Sequence, residues 1–315
     1  MSTISEQSKR GERCEREKYS PLSPALAWQL AAVHTWPASV MPVLVAVGCA
    51  VGRGYEPSPL MAVLLLVICV LMQASVNTFN DYFDFVKGSD TADDNVEVTD
   101  AVLVYNNVNP RSVRWLAIGF LAAAFLLGIL VIAARGPIPL VIALVGAVIV
   151  VAYSGGKTPL SYLPVGEAVS GVVMGGLIPL ACFQALTGVL DLTVLVWALP
   201  TVIGVGLIMM TNNACDIEKD IEAGRRTLPV LLGRERARTA YHGLMAAWVV
   251  LIALVVALWF SRGLIVMPFM ALAAYPLFAA LWRNPLSPAA RIGAMGQVAS
   301  VNVALGAFYA AALML

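Results

Sequence analysis

The sequence has little charge: Asp, Glu, Lys and Arg make up 12% of its 315 residues, whereas 60% are hydrophobic. A soluble protein of this length needs more charge on its water-facing surface, so the composition excludes an ordinary soluble globular protein. The net charge of +1 gives no basis for a nucleic-acid partner, and we expect none.

Cysteine and histidine are also scarce. None of the five cysteines forms a C-x-x-C pair, and Cys49, Cys69 and Cys182 lie inside apolar runs. This pattern indicates small buried side chains and argues against a disulfide framework or a zinc site. The two histidines, His34 and His242, leave little for haem ligation or a histidine-rich metal centre.

Long apolar runs are what the sequence has in abundance, and its mean hydropathy is +0.82. A helix needs about 20 apolar residues to cross roughly 30 Å of hydrocarbon. The runs, and the Gly-, Pro- and charge-rich breaks between them, predict an all-α polytopic membrane protein with about nine transmembrane helices. The predicted spans are residues 25–52, 59–85, 113–134, 137–155, 164–188, 192–214, 237–261, 263–282 and 288–314.

The first 24 residues are polar and of mixed charge, and a long apolar run follows them. A signal peptide would instead have a short apolar core and a small-residue cleavage site. We therefore expect residues 1–24 to be an uncleaved tail, followed by a single transmembrane domain over residues 25–315.

Basic residues predict the orientation in the membrane. With nine spans, every lysine and arginine except Arg53, Arg135 and Arg262 lies on the same side as the tail. Cytoplasmic loops carry the excess of Lys and Arg in membrane proteins. We therefore predict that the N-terminus and two long hydrophilic loops, at about 86–112 and 215–236, face the cytoplasm of a bacterial or archaeal plasma membrane.

Two acidic clusters lie where even-numbered spans end, so both would face the cytoplasm. Side chains four residues apart share one face of a helix, which predicts a polar stripe in each cluster. Gly88 and Gly224 are the predicted stops of the two helices. The first cluster consists of Asn80, Asp81, Asp84 and Asp90, and the second cluster consists of Asn212, Asp216 and Asp220.

A structural explanation is available for either cluster alone. An Asp at a helix end is usually a hydrated interfacial group, and an Asn often bridges two membrane helices. Two matched clusters are harder to explain in this way, because a charge at mid-bilayer costs roughly 2.5–3.5 kcal/mol. Carboxylates that face one space repel each other unless a cation joins them, and Mg²⁺ combines one or two carboxylates with substrate phosphate. The clusters therefore predict a Mg²⁺-diphosphate site.

Basic residues close to the clusters could donate hydrogen bonds to diphosphate oxygens, although each could also be an ordinary cytoplasmic anchor. Lys157 lies in "YSGGKTPLSYLPVGE", a glycine-containing loop on the same side that begins at Tyr153. We predict that Lys157 lines the site. The other basic candidates are Lys87, Lys219, Arg225 and Arg226.

A membrane protein that binds a diphosphate at the cytoplasmic edge would act on a diphosphate with a lipid tail. A polyprenyl diphosphate is the natural candidate, since its tail would lie between helices in hydrocarbon. Bound metal makes the diphosphate a better leaving group, and cleavage of the carbon–oxygen bond then gives an allylic cation.

The sequence resembles the UbiA-type membrane prenyltransferases at three places in the family's order. "NDYFDFVKGSD" and "NNACDIEKDIEAGRRTLPVLLG" are similar to the two Asp-rich motifs of that family, and "YSGGKTPLSYLPVGE" is similar to the loop between them. Within the family the likeness is greatest to the 1,4-dihydroxy-2-naphthoate polyprenyltransferases of menaquinone synthesis. "TWPASVMPVLVAVG" also resembles their first span.

The resemblance implies nine helices around a central cavity that opens to the cytoplasm, with Mg²⁺ and prenyl diphosphate at its mouth. It implies prenylation of an aromatic acid with loss of its carboxylate, giving demethylmenaquinone. Asp84, Asp216 and Lys157 are the implied catalytic residues. The implied metal ligands are Asn80, Asp84, Asp90, Asn212, Asp216 and Asp220. The predicted cofactor-binding residues, around the metal–diphosphate unit, are Asn80, Asp81, Lys87, Asn212, Lys219, Arg225 and Tyr153.

Two departures from the family pattern leave other acceptors open. The loop "NVEVTDAVLVYNNVNPRS" has no glycine, and "AAVHTWP" has His34 where an Arg-Pro pair is often found. The alternative acceptors are 4-hydroxybenzoate, homogentisate, a tetrapyrrole or a glycerol phosphate. A cation or lipid transporter is the alternative outside the enzymes, although transporters commonly bind their cargo near the bilayer midplane and not at helix ends.

Overall fold

A computed structural model describes residues 19–87, 102–154 and 159–315. These residues are helical and contain no β-strand, apart from one isolated bridge between Ser20 and Val108. This confirms the all-α class. The helices are α1 (Pro24–Leu30), α2 (Pro37–Gly52), α3 (Pro59–Lys87), α4 (Val102–Tyr105), α5 (Pro110–Arg135), α6 (Ile138–Ser154), α7 (Gly166–Thr187), α8 (Thr193–Trp197), α9 (Leu199–Cys215), α10 (Ile217–Glu222), α11 (Leu228–Leu232), α12 (Arg234–Trp259), α13 (Met267–Arg283) and α14 (Arg291–Leu313).

Proline and glycine mark many of these boundaries. Pro24, Pro59 and Pro110 begin helices, where their fixed φ is favourable and the missing N–H is not needed. Gly188 follows α7 with φ +81°, a left-handed conformation that glycine adopts without steric cost. Gly224 (φ +70°) lies two residues after α10, which agrees with its predicted role as a helix stop.

Each of the nine predicted spans overlaps at least one helix, and the spans 25–52 and 192–214 each cover more than one. Fewer helices meet the length expected of a transmembrane segment. In the described part of the chain, six helices are long and apolar enough to cross a membrane, or seven if Pro24–Thr35 and Pro37–Gly52 count together as one span. Ile138–Ile149 and Leu199–Cys215 are apolar but shorter. The count of nine spans stays a prediction.

The chain forms two compact units, Met1–Trp36 with Leu71–Phe125, and Pro37–Val70 with Leu126–Leu315. In the first unit, a small apolar core joins the N-terminal segment to the start of α5. That core is formed by Leu30, Val102, Leu103, Val108 and Val113. The expectation of one transmembrane domain over residues 25–315 stays a prediction.

The second unit has α9 at its centre, packed by α7, α12 and α14. Gly171 and Gly175 let α7 approach α9 closely, because a Cβ atom on Gly175 would lie 2.5 Å from the Cα of Val202 on α9. On α14, Asn302 donates to the carbonyl of Gly204 on α9 at 3.1 Å. Residues Gly171–Leu177 form a π-helical segment within α7.

Candidate active site

Asn80, Asp81 and Asp84 of the first cluster lie on the last turns of α3, which is an unbroken helix of 29 residues. Asn80 is exposed and Asp84 is half-buried, and their spacing places them on one helix face as predicted. Lys87 is the last residue of α3. Asp90 lies outside the described residues.

Asp81 has a role of its own at the start of α4. Its carboxylate accepts hydrogen bonds from the backbone N–H groups of Val102 (2.7 Å) and Leu103 (3.2 Å). A helix has no acceptors of its own for its first N–H groups. A carboxylate at this position is also stabilised by the positive end of the helix dipole. Asp81 is therefore an anchor for α4, and its predicted part in binding the metal–diphosphate unit stays a prediction.

The polar face of α3 extends further back than the predicted cluster. Gln73 and Asn77 precede Asn80 and Asp84 at helical spacing, and Gln73 donates to the Asn77 side-chain oxygen at 3.1 Å. Asn77 in turn donates to the Thr35 hydroxyl at 2.8 Å and to the Ala31 carbonyl at 3.0 Å. The positions 73, 77, 80 and 84 follow the helical period, so the sequence contained this signal although only its last two members were predicted.

The second cluster lies at a break between two helices. Helix α9 ends at Cys215, Asp216 has φ −103° and ψ 20°, and α10 begins at Ile217. The expectation that Asn212, Asp216 and Asp220 share one continuous helix is therefore wrong. Aspartate competes with the helical backbone for hydrogen bonds and is better suited to such junctions than to helix interiors.

Arg291 binds the first two members of the second cluster. It is the first residue of α14, and its Nη2 donates to the Asn212 side-chain oxygen at 2.6 Å. Its Nε donates to Oδ2 of Asp216 at 3.2 Å, forming an ion pair. Nothing in the local sequence predicted this contact, because Arg291 follows Asp216 by 75 positions.

Asp220 is held by the loop that follows α10. Its side chain is 3% exposed, accepts a hydrogen bond from the Thr227 hydroxyl at 3.1 Å and forms an ion pair with Arg225 at 3.5 Å. Burial raises the pKa of Asp220, and Arg225 and Thr227 oppose that shift. The carboxylate fixes the position of Arg225, and its predicted role as a metal ligand stays a prediction.

Arg225 also packs against an aromatic ring from the loop between the motifs. Its guanidinium carbon lies 5.0 Å from the centroid of the Tyr162 ring, and the backbone N–H of Arg226 donates to the Tyr162 carbonyl at 2.8 Å. A cation–π contact of this kind is worth about 0.5–2 kcal/mol. The segment around Arg225 is thereby joined to the loop that begins at Tyr153.

A buried carboxylate lies next to the second cluster. Glu167, on the first turn of α7, accepts a hydrogen bond from Asn213 of α9 at 2.8 Å, and both side chains are buried. Its other oxygen and the buried Tyr153 hydroxyl have no hydrogen-bond partner among the described residues. Neither Glu167 nor Asn213 was predicted as a site residue, although Asn213 follows Asn212 directly. Lys157, predicted here, lies outside the described residues.

Arg234 fixes the end of α9 from another side. Its guanidinium pairs with the Glu218 carboxylate at 2.7 Å and donates to the carbonyls of Ala214 and Leu286. The Arg234 ion pair holds the pKa of Glu218 below its usual range. Lys219 is half-buried on the same short helix. The neighbours of α9 thus each contribute a charged residue to this end: Glu167, Arg234 and Arg291.

The oxygen atoms of the second cluster suit a hard cation. No group of three or more His, Cys, Asp or Glu side chains that could hold a metal occurs in the described parts of the chain. Mg²⁺ does not require one, because it commonly takes one or two carboxylates and completes its shell with water and substrate phosphate. Asn212 and Asp216 already direct their oxygens at a positive group, the guanidinium of Arg291, so their donor chemistry fits Mg²⁺.

Comparison with known proteins indicates the same family as the three sequence motifs. Residues 39–301 match the UbiA prenyltransferase family. The chain is 35% identical over 229 residues to the 1,4-dihydroxy-2-naphthoate octaprenyltransferase of Bacillus subtilis (strain 168), an alignment covering 71% of this chain and 72% of that protein.

Solved structures show the same fold at low identity. The apo structure of a UbiA homolog from Aeropyrum pernix K1 is similar with a TM-score of 0.62 and 19% identity, covering 88% of this chain and 96% of that one. A UbiA homolog from Archaeoglobus fulgidus bound to DMAPP and Mg²⁺ is similar with a TM-score of 0.57 and 19% identity, covering 90% and 99%. The family match and the shared identity show that this chain belongs to the UbiA prenyltransferase family.

Proposed function

We propose that the protein transfers a polyprenyl group from a polyprenyl diphosphate to 1,4-dihydroxy-2-naphthoate. The carbon–oxygen bond to diphosphate breaks, a carbon–carbon bond to the ring forms, and carbon dioxide leaves, giving demethylmenaquinol, the reduced form of demethylmenaquinone. The observation that carries this proposal is the 35% identity to a 1,4-dihydroxy-2-naphthoate octaprenyltransferase over most of both chains.

The two acidic clusters would hold Mg²⁺ and the diphosphate. The proposed metal ligands are Asn80, Asp84, Asp90, Asn212, Asp216 and Asp220. The Archaeoglobus homolog, which binds both DMAPP and Mg²⁺, supports a diphosphate-metal site in this fold. When bound, Mg²⁺ would neutralise the charge that develops on the departing diphosphate. In this chain, Asp84 and Asp216 would provide the negative charge that retains the cation.

Basic residues would bind the diphosphate oxygens that the metal leaves free. Arg225 is suited to this because Asp220 and Tyr162 fix its guanidinium and leave its side chain 29% exposed. Lys157, Lys87 and Lys219 are proposed for the same function. A planar guanidinium gives two parallel hydrogen bonds to phosphate, which adds orientation to charge.

The Glu167–Asn213 pair would limit the position of the polar end of the substrate. One carboxylate oxygen of Glu167 accepts a hydrogen bond from Asn213. The other oxygen and the buried Tyr153 hydroxyl have no hydrogen-bond partner among the described residues. Buried polar groups are nearly always hydrogen-bonded, so these two atoms would accept or donate to a bound group. The proposed orientation places these groups, with the N-terminus, on the cytoplasmic side of the membrane.

The proposal is tested with purified protein, Mg²⁺, a labelled prenyl diphosphate and a panel of aromatic acids, with products identified by mass spectrometry. We expect a prenylated, decarboxylated naphthalene product, and no product when divalent cations are chelated. A product from 4-hydroxybenzoate or homogentisate alone would move the assignment to another acceptor. Absence of product from every acceptor would favour transport over catalysis.

A further inference from the structure

Arg291 places a positive charge where the second cluster is proposed to hold a metal. The guanidinium contacts both Asn212 and Asp216, and these are the two residues of the cluster whose oxygens are not engaged by the loop after α10. The Asp216 and Arg291 side chains are 17% and 12% exposed, so solvent screens the pair only partly. A cation that binds these oxygens must compete with Arg291.

The guanidinium also retains an unused donor. Its Nη1 is buried and has no hydrogen-bond partner among the described residues. Leaving a buried charged donor unsatisfied costs free energy, so this atom is available to an acceptor from outside the described residues. A negatively charged hydrogen-bond acceptor, such as a phosphate oxygen, would satisfy this donor.

We infer that Arg291 alternates between two partners: it donates to Asn212 and neutralises Asp216 in the free protein, and it binds the diphosphate once a divalent cation takes those oxygens. This inference rests on the proposed function and deepens it. The cation displaces Nε and Nη2 from the cluster, and the guanidinium then presents its donors to the phosphate oxygens that accompany the metal. Arg291 thus lowers the affinity for metal alone and raises the affinity for diphosphate with metal.

Opposite shifts in two binding constants distinguish this role from a purely structural one. A residue that only supports the fold would weaken both affinities when it is replaced. A residue that only binds diphosphate would leave the affinity for metal alone unchanged. If Arg291 competes with the metal, replacing Arg291 should raise the affinity for metal alone and lower the affinity for diphosphate with metal.

The test compares wild-type protein with Arg291→Gln, using Mn²⁺ as a paramagnetic probe for the metal and inorganic pyrophosphate as the diphosphate. We expect Arg291→Gln to bind Mn²⁺ alone about three- to tenfold more tightly, as measured by electron paramagnetic resonance. At saturating Mn²⁺ we expect about tenfold or greater loss of pyrophosphate affinity, as measured by calorimetry.

Two further variants serve as controls. Arg283→Gln removes an exposed arginine at the end of α13, eight positions before Arg291, and should leave both affinities unchanged. Arg291→Lys keeps the charge but loses the planar arrangement of donors. It should bind Mn²⁺ alone as the wild type does while binding pyrophosphate more weakly, and it provides the comparison if Arg291→Gln does not fold.

The result separates this inference from the proposed function. Failure of the wild-type protein to bind pyrophosphate at saturating Mn²⁺ would overturn the proposed function itself. Pyrophosphate binding by the wild type, with unchanged or uniformly weakened affinities in Arg291→Gln, would overturn only the role of Arg291. Unchanged affinities in Arg291→Lys would show that charge alone suffices and would overturn the proposed hydrogen bonding.

Discussion

The two acidic clusters have the same Asn-x-x-x-Asp spacing, but their backbones differ. The described residues of the first cluster, Asn80, Asp81 and Asp84, lie on one long helix, whereas the second cluster spans a junction at Asp216. In the first, a carboxylate holds backbone N–H groups of a neighbouring segment. In the second, Arg225 from the loop that follows and Arg291 from a helix distant in sequence hold the carboxylates. Equal spacing therefore does not imply equal construction. Substituting the residues that hold each cluster in place should have different effects, whereas removing one proposed metal-binding carboxylate from either cluster should have the same effect.

The largest effect should come from removing one charge in either cluster. We expect Asp84→Asn and Asp216→Asn each to reduce prenyl transfer by about 10²–10³-fold, because each removes a negative charge that would retain Mg²⁺. The measurement is the rate of product formation, with the amount of protein in the membrane checked by immunoblot. Glu235→Gln, on the first turn of α12, is the control and should retain activity. Full activity in either Asp variant would remove that cluster from the site.

A second substitution should act on the second unit through packing. In Gly175→Ala, the new Cβ would lie 2.5 Å from the Cα of Val202. Because this distance is too short for two carbon atoms, α7 and α9 would have to move apart. We expect a loss of about 1–3 kcal/mol in stability, measured as a lower midpoint of thermal unfolding in detergent. Gly176→Ala is the matched control, because its Cβ would lie 3.5 Å from a Val202 methyl group, an ordinary contact. Equal midpoints for the two variants would contradict the close helix contact.

A smaller effect is expected at the anchor of the first cluster. Asp81→Ala leaves the N–H groups of Val102 and Leu103 without their carboxylate acceptor, which should cost about 1–2 kcal/mol locally. Amide hydrogen exchange at these two positions should become faster, while exchange in the second unit stays as in the wild type. Unaltered exchange at Val102 and Leu103 would show that other contacts hold α4.

The smallest effect should follow from removing the ring beneath Arg225. We expect Tyr162→Leu to raise the KM for prenyl diphosphate by a few-fold or more, since a partly exposed cation–π contact is worth about 0.5–2 kcal/mol. Tyr162→Phe keeps the ring and should behave as the wild type. An equal rise in KM for both variants would indicate that the hydroxyl, and not the ring face, is what matters at this position.

The sequence predicted the parts that depend on local periodicity. The helical class and the face shared by Asn80 and Asp84 follow from patterns within a few turns of chain, and the structure confirms both. The interruption at Asp216 was missed, because the spacing of Asn212, Asp216 and Asp220 fits an unbroken helix equally well. The backbone around the break even keeps i to i−4 hydrogen bonds, at 3.1 Å to Asn212 and 2.8 Å to Asp216.

The partners of the second cluster could not be predicted because they depend on which helices surround α9. Arg291 and Glu167 enter from α14 and α7, far along the chain in opposite directions. Their positions result from close packing at residues such as Gly175 and Asn302, and one sequence contains no direct signal for those pairings. The family resemblance assigned roles to the motif residues, but it did not predict these contacts.

The π-helical segment of α7 has a consequence for how this protein can vary. A π turn holds an additional residue in a helix that otherwise advances about 100° per residue. Because the wider turn absorbs that residue, the α-helical turns on either side keep nearly the faces they would present without it. Deleting one residue within Gly171–Leu177 should therefore restore an ordinary α-helix there and leave Glu167 facing Asn213. A deletion in the α-helical part that follows, Ile178–Thr187, has no wide turn to absorb it and would rotate Glu167 by about 100° relative to the end of α7.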